Sequence, residues 1–139
     1  MNVLLDTNVL SEPMRQQPDS AVMAQLAEGG HRLHTASVVI HELRYGLQRL
    51  PKGCRRARLE SYVHGVLASG LTVLAYDTKA ALWHGDQHAS LEAQGVKPPF
   101  VDGQIAAIAA TQGLVLVTRN ISDFEVFDGL QLLNWFAAP

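Results

Sequence analysis

Three carboxylates sit where an acid kept only for solubility would have no reason to be. Asp6 closes the short apolar run Val3-Leu4-Leu5 and is followed by the small polar residues Thr7 and Asn8. Glu42 falls one helical turn after Val39 and beside Leu43, so it borders an apolar stripe instead of opposing it. Asp102 shares a helical face with Ile105, Ala106 and Ala109, the face that should meet a sheet. Taken singly, each has a plainer role: Asp6 as an Asx-turn former, Glu42 as a charge favoured by a helix dipole, Asp102 as an N-cap. Taken together they can do chemistry. Clustered carboxylates raise one another's pKa unless a cation is present. The cation that such oxygen ligands suit is hard, Mg²⁺ or Mn²⁺, holding waters and phosphate oxygens. One or two such ions can activate water and stabilise the leaving oxygen in phosphodiester cleavage.

For three acids so far apart in sequence to meet, the elements must bring them to one edge. Residues 2–5 read as a buried strand, and 32–36 as a second, weaker one. Between them, Pro18-Asp19-Ser20 caps a helix over 21–28 that Gly29-Gly30 ends. Ser37 reads as the N-cap of a helix with Val39, Leu43, Leu47 and Leu50 on one face, broken by Pro51 and Gly53. A helix over 55–68, a strand over 71–76 and a helix capped by Asp77 and running to about residue 93 follow. The alanine-rich 102–112 is helical, 114–118 a strand, 119–129 mostly loop and 130–135 a last strand. Strands alternating with helices predict one α/β domain over 1–139, with a central, mainly parallel sheet. In such folds strand carboxyl ends and helix amino ends share one edge of the sheet, which is where all three acids lie.

Composition narrows the classes. The 139 residues suit one domain, and 47% apolar with 17% charged residues is the balance of a folded globular chain. A formal net charge of -2 gives no overall attraction to polyanions, so such a partner must be met by a local patch. The single cysteine, Cys54, excludes an internal disulfide and a cysteine metal cage. With no signal-peptide pattern and no apolar run long enough for a bilayer, the expected setting is soluble and cytoplasmic, away from membranes.

The motifs themselves resemble a family. Leu4-Leu5-Asp6-Thr7-Asn8-Val9-Leu10-Ser11-Glu12, Ser37-Val38-Val39-Ile40-His41-Glu42-Leu43-Arg44-Tyr45-Gly46, Asp102-Gly103-Gln104-Ile105-Ala106-Ala107-Ile108-Ala109 and Val117-Thr118-Arg119-Asn120-Ile121-Ser122-Asp123-Phe124 stand in order along nearly the whole chain. They resemble the PIN-domain ribonucleases of the VapC type, in particular the FitB-like branch of toxin–antitoxin toxins. The resemblance implies a three-layer α/β/α fold and Mg²⁺-dependent cleavage of RNA, with Mn²⁺ as a substitute. Asp6, Glu42 and Asp102 match the family's metal-holding acids. The position where some relatives carry a fourth Asp falls on Asn120, an amide that can bind a metal water or phosphate oxygen but brings no charge. Asp123, three residues on, matches a position that in the family more often supports the loop. Thr118 is placed to hydrogen-bond a carboxylate or a metal water. The resemblance also implies a small DNA-binding antitoxin as cognate partner, contact with DNA only through it, and homodimers within the larger complex.

Arg44, Arg49, Lys52, Arg55, Arg56 and Arg58 form a basic run that could grip an RNA backbone or simply solvate a helical hairpin. Arg44, two residues from Glu42, is the first candidate for a phosphate contact, followed by Arg15 and Arg119. His84 and His88 have the i, i+4 spacing of zinc ligands, but with no third ligand they read as a surface pair. His41 reads as structural, and Trp83 and Trp135 as core or interface residues. Two other enzyme classes fit less well. A haloacid-dehalogenase-type phosphatase wants an acid where Asn8 stands, and a receiver domain wants paired acids and a later Lys that the chain lacks. The non-enzyme alternative is a catalytically weak partner that acts by completing an antitoxin–DNA complex.

Overall fold

The computed structural model describes residues 1–137. Its centre is a five-stranded, all-parallel sheet in the order β3-β2-β1-β4-β5, formed by β1 (Asn2–Leu5), β2 (Arg32–Ala36), β3 (Thr72–Leu74), β4 (Val115–Val117) and β5 (Leu132–Leu133). Seven helices, α1 (Thr7–Leu10), α2 (Ser20–Ala27), α3 (Ser37–Gln48), α4 (Cys54–Ala68), α5 (Thr78–Ala93), α6 (Phe100–Thr111) and α7 (Ile121–Phe124), complete an α/β/α arrangement. No helix among the described residues is long and apolar enough to cross a membrane.

Val3, Leu4 and Leu5 are wholly buried, which is why β1 is apolar on both faces and why it can only be central. The chain winds outward from β1 through β2 to β3, then returns across the sheet to add β4 and β5 on the other side. That reversal puts the topological switch point between β1 and β4, where Leu5 pairs with Val117. Helix α6 buries five consecutive residues, Ile105 to Ala109, so it is enclosed on all sides; its alanines let sheet and neighbouring helices approach closely. A satellite core of Leu47, Leu59 and Val63 joins α3 to α4, and Tyr62 ties α4 back by donating to the Leu10 carbonyl at 2.8 Å.

Several local expectations change. Ser37 is not an N-cap: β2 runs directly into α3, Ala36 takes that position, and Ser37 becomes the first helical residue. Asp102 is not an N-cap either, because α6 starts earlier, after Pro99. The strand expected over 71–76 shrinks to three residues at the sheet edge, and the last strand to two. Within the stretch expected as loop, α7 forms one turn that buries Phe124 in the core. His84 is buried, not a surface residue, while His88 and His41 are exposed.

Candidate active site

The site is built at the switch point. Asp6 follows β1 immediately and still donates its backbone N–H to the Val117 carbonyl at 3.0 Å. Its own carbonyl then accepts from Val9 and Leu10, turning the chain into α1, while its carboxylate accepts the Thr7 N–H at 2.8 Å. Across the switch, Thr118 follows β4 and donates its hydroxyl to Asp6 Oδ2 at 2.8 Å. The same hydroxyl oxygen accepts the Asn120 N–H at 3.0 Å. Asn8 stitches the two strand ends together: its amide donates to Asp6 Oδ2 at 3.3 Å and its Oδ1 accepts the Arg119 N–H at 3.0 Å. Asp6 and Thr118 are both buried, so the first carboxylate is held from several sides before any ligand arrives.

Glu42 enters from the first half of α3, at the exposed mouth of the cleft, where Thr7 donates its hydroxyl to Glu42 Oε1 at 3.1 Å. Asp102 enters half-buried from the first turn of α6. The acids feel one another. Burial raises Asp6 above the usual carboxylate range, against the hydrogen bonds from Thr118, Thr7 and Asn8, which lower it. Glu42 is raised by partial desolvation and by Asp6, while the Thr7 bond and His41 act the other way. Asp102 is pushed up to about 6, first by desolvation and then by the charges of Asp6, Asp123 and Glu42. Among the described residues, no three His, Cys, Asp or Glu side chains stand close enough together to hold an ion as they are placed. Like charges in a partly desolvated cleft repel, so these carboxylates lie within reach of each other's field without converging on one point.

Asn120 contributes its backbone, as donor to Thr118 and as the residue before α7. The fourth negative charge comes from Asp123, whose field reaches both Asp6 and Asp102. Asn8 is the other member that residue-by-residue reading passed over. Its position two residues after Asp6, between a carboxylate and the far strand, was the available signal.

The arginines are dispersed. Arg119 lays its guanidinium over the Phe136 ring at 4.7 Å. Arg15 pairs with Glu12 at 3.7 Å and, with Arg55 and Arg58, lines a separate groove of about 760 Å³. Arg44 is exposed on α3, and its charge is felt by Glu60 of α4. The basic side chain that acts on Glu42 is His41. Arg56 is consumed by the hairpin, bonding Glu60 at 2.8 Å and the Leu50 carbonyl at 3.3 Å.

A parallel sheet whose switch point gathers acids from β1, α3, α6 and the segment after β4 defines a class. The family model of the PIN domain matches residues 3–130. Over 135 residues the chain is 35% identical to VapC ribonuclease Y4jK of Sinorhizobium fredii, covering 95% of this chain and 96% of that protein. The crystal structure of FitAcB from Neisseria gonorrhoeae matches with a TM-score of 0.85 at 28% identity, covering 96% of this chain and 97% of that one. VapBC2 from Rickettsia felis, bound to a DNA fragment from their promoter, matches with a TM-score of 0.82 at 27% identity over 97% and 99% of the two chains. The chain belongs to the PIN-domain family, and its similarity to VapC proteins runs nearly end to end.

Proposed function

We propose that this protein is a metal-dependent endoribonuclease, the toxin of a toxin–antitoxin pair. The observation that carries the reading is Asp102, half-buried in one cleft with three other acids, its carboxyl pushed up to about 6 first by burial and then by the charges of Asp6, Asp123 and Glu42. A fold keeps such a cluster at a cost unless a cation relieves it, and the donor set is all oxygen. Mg²⁺ fits that donor set, with Mn²⁺ as substitute, held by Asp6, Glu42 and Asp102 and supported by the charge of Asp123. When bound, the ion supplies charge neutralisation at the phosphate and an acidified water at neutral pH.

The chain's own residues do the positioning. Thr118 and Asn8 fix Asp6 Oδ2 in one orientation, and the Thr7 N–H fixes Oδ1. Thr7 also holds Glu42 through its hydroxyl, so one short segment sets two acids. Asn120 has its backbone pinned by Thr118, which leaves its amide side chain at the rim of the cleft. RNA as substrate is supported by the ribonuclease named among the relatives. An antitoxin partner, with DNA contacted through it, is supported by the similarity to FitAcB and to the DNA-bound VapBC2. Homodimerisation belongs to the same proposal.

Purified wild type, Asp6→Ala and Asp102→Asn, each incubated with cellular RNA and followed by sequencing of RNA ends, tests it. New ends should appear with wild type in Mg²⁺, vanish in EDTA, and vanish in both variants while circular dichroism stays native. Full Mg²⁺-dependent cleavage by Asp6→Ala would sink the assignment.

A further inference from the structure

Helix α3 carries more than Glu42 on its solvent side. Val39, Leu43 and Leu47 form its buried stripe, and Glu42, Tyr45 and Arg49 follow one another at i, i+3 and i+7 on another face. His41, Tyr45 and Arg49, at i, i+4 and i+8, make a column of planar groups along that side. The His41 and Tyr45 rings are near-parallel, 27° apart, with centroids 6.3 Å apart, and the Arg49 guanidinium carbon lies 5.3 Å from the Tyr45 centroid. All three are exposed, Tyr45 at 56%, and the α3 core does not require any of them.

Planar side chains and guanidinium planes exposed to water offer faces on which unpaired bases stack. His41 and Tyr45 present two such faces, near-parallel along the helix. The column rises about 12 Å along the helix axis, room for a few bases. Its upper end is cationic at Arg49, with Arg44 exposed on the same helix, so the stripe offers phosphate contacts in a chain that is otherwise slightly acidic. Its lower end is next to Glu42, at the mouth of the acidic cleft.

We propose that the His41–Tyr45–Arg49 column is a stacking platform for a single-stranded stretch of RNA that leaves the cleft along α3. This rests on the RNA-cleaving reading of that cleft, and it narrows the substrate to RNA whose bases are unpaired beside the scissile bond. Duplex RNA hides its base faces and gains nothing from such a surface.

The test measures binding apart from cleavage. A short, unstructured, fluorescently labelled RNA is titrated with full-length protein in EDTA, a gel confirming that the RNA stays intact. A blunt duplex of the same sequence is titrated alongside. Tyr45→Ala should weaken single-strand binding about 5- to 100-fold, Tyr45→Phe should bind as wild type does, and Arg49→Ala should weaken binding with a shallower salt dependence. Duplex binding should not respond to Tyr45. In cleavage assays Tyr45→Ala should raise KM and leave kcat in place, as loss of uniform binding does. Equal single-strand affinity in wild type and Tyr45→Ala overturns the proposal, as does a wild type that binds no single strand. A Tyr45→Ala protein that elutes as a smaller species with RNA affinity intact would instead assign the stripe to contact between copies. Cleavage surviving in Asp6→Ala would remove the acidic-cleft reading and leave the binding result to stand by itself.

Discussion

Thr118 and Asn8 decide what Asp6 is able to do. A buried carboxylate with no donors would stay protonated near neutrality; the Thr118, Thr7 and Asn8 bonds pull against that burial. Thr118→Val keeps the shape and removes one hydroxyl that both donates to Asp6 and accepts from Asn120. Two polar groups lose a partner, Asp6 in a buried place and the Asn120 N–H in a part-buried one, so stability should fall by about 1–3 kcal/mol in denaturant titration. Mg²⁺ affinity should drop about 10-fold or more by calorimetry, since Asp6 loses the bond that orients it. An unchanged Mg²⁺ titration would detach Thr118 from the site. At this scale the sequence was legible where a residue type was unusual for its surroundings: Asp6 after a buried strand, Asp102 on an apolar helix face. It was not legible where an ordinary polar residue acquires its role from a partner on another element. Asn8 reaches Arg119 and Thr118, more than a hundred residues away, and no local pattern shows that. Asp123 read either as compensation for the amide at Asn120 or, more often in the family, as loop support, and a single turn of helix anchored by Phe124 puts its charge within range of Asp6.

Helix α6 holds Asp102, and α5 fixes how α6 can sit. His84 is 5% exposed; Tyr76 bonds its Nδ1 at 2.8 Å and Phe100 packs 4.8 Å from its ring centroid. Burial, and after it the neighbouring His88, lowers its pKa. The imidazole lies against Gly103, next to Asp102, in the space that a Cβ at residue 103 would need. Helix propensity alone would make Gly103→Ala stabilising by about 1 kcal/mol. Overpacking a buried ring that Tyr76 holds in place costs about 1–3 kcal/mol, so the net should be a loss. The measurement that isolates the cause is a double-mutant cycle: Gly103→Ala should destabilise less in a His84→Ala background than in wild type. Strictly additive costs would show that the two do not meet. His84 and His88 were read from their spacing as surface neighbours, since nothing local announces that one will be roofed by a glycine on another helix. The strong elements were legible for a simple reason. Strand β1 buries Val3 to Leu5 and helix α6 buries Ile105 to Ala109, so apolar run length sufficed, whereas β3 and β5 lie at sheet edges and have little apolar signal to spend. Ser37 misled as a cap because β2 and α3 join without a connecting loop.

For the molecule as a whole, the acid cluster links folding to pH. Asp102 has a folded pKa of about 6 against 3.8 for the unconstrained side chain. Between those values the folded state binds more protons than the unfolded one. Its contribution is therefore favourable in acid and is lost as pH rises through the folded pKa. Asp19 and Glu60 shift the opposite way, Asp19 through the Val22 N–H and Glu60 through Arg56, so bulk stability curves mix both signs. The difference between wild type and Asp102→Asn separates them. Metal-free wild type should lose several degrees of Tm relative to the variant as pH rises from about 4 to 7. Added Mg²⁺ should return that difference at neutral pH. Parallel melting curves, with or without Mg²⁺, would mean that the cluster carries no such strain.

The switch point between β1 and β4 also sets a timetable. In the order of synthesis Asp6 precedes Thr118, its hydrogen-bond partner, by 112 residues, and β5 comes later still. At about 5–20 residues per second, on the order of ten seconds separates the two halves of the cleft. Until then β1 lacks one neighbour, Asp6 lacks the Thr118 hydroxyl, and Asp102 has no closed sheet to rest on. An emerging chain of this kind holds no assembled cleft until β4 and the segment after it have followed.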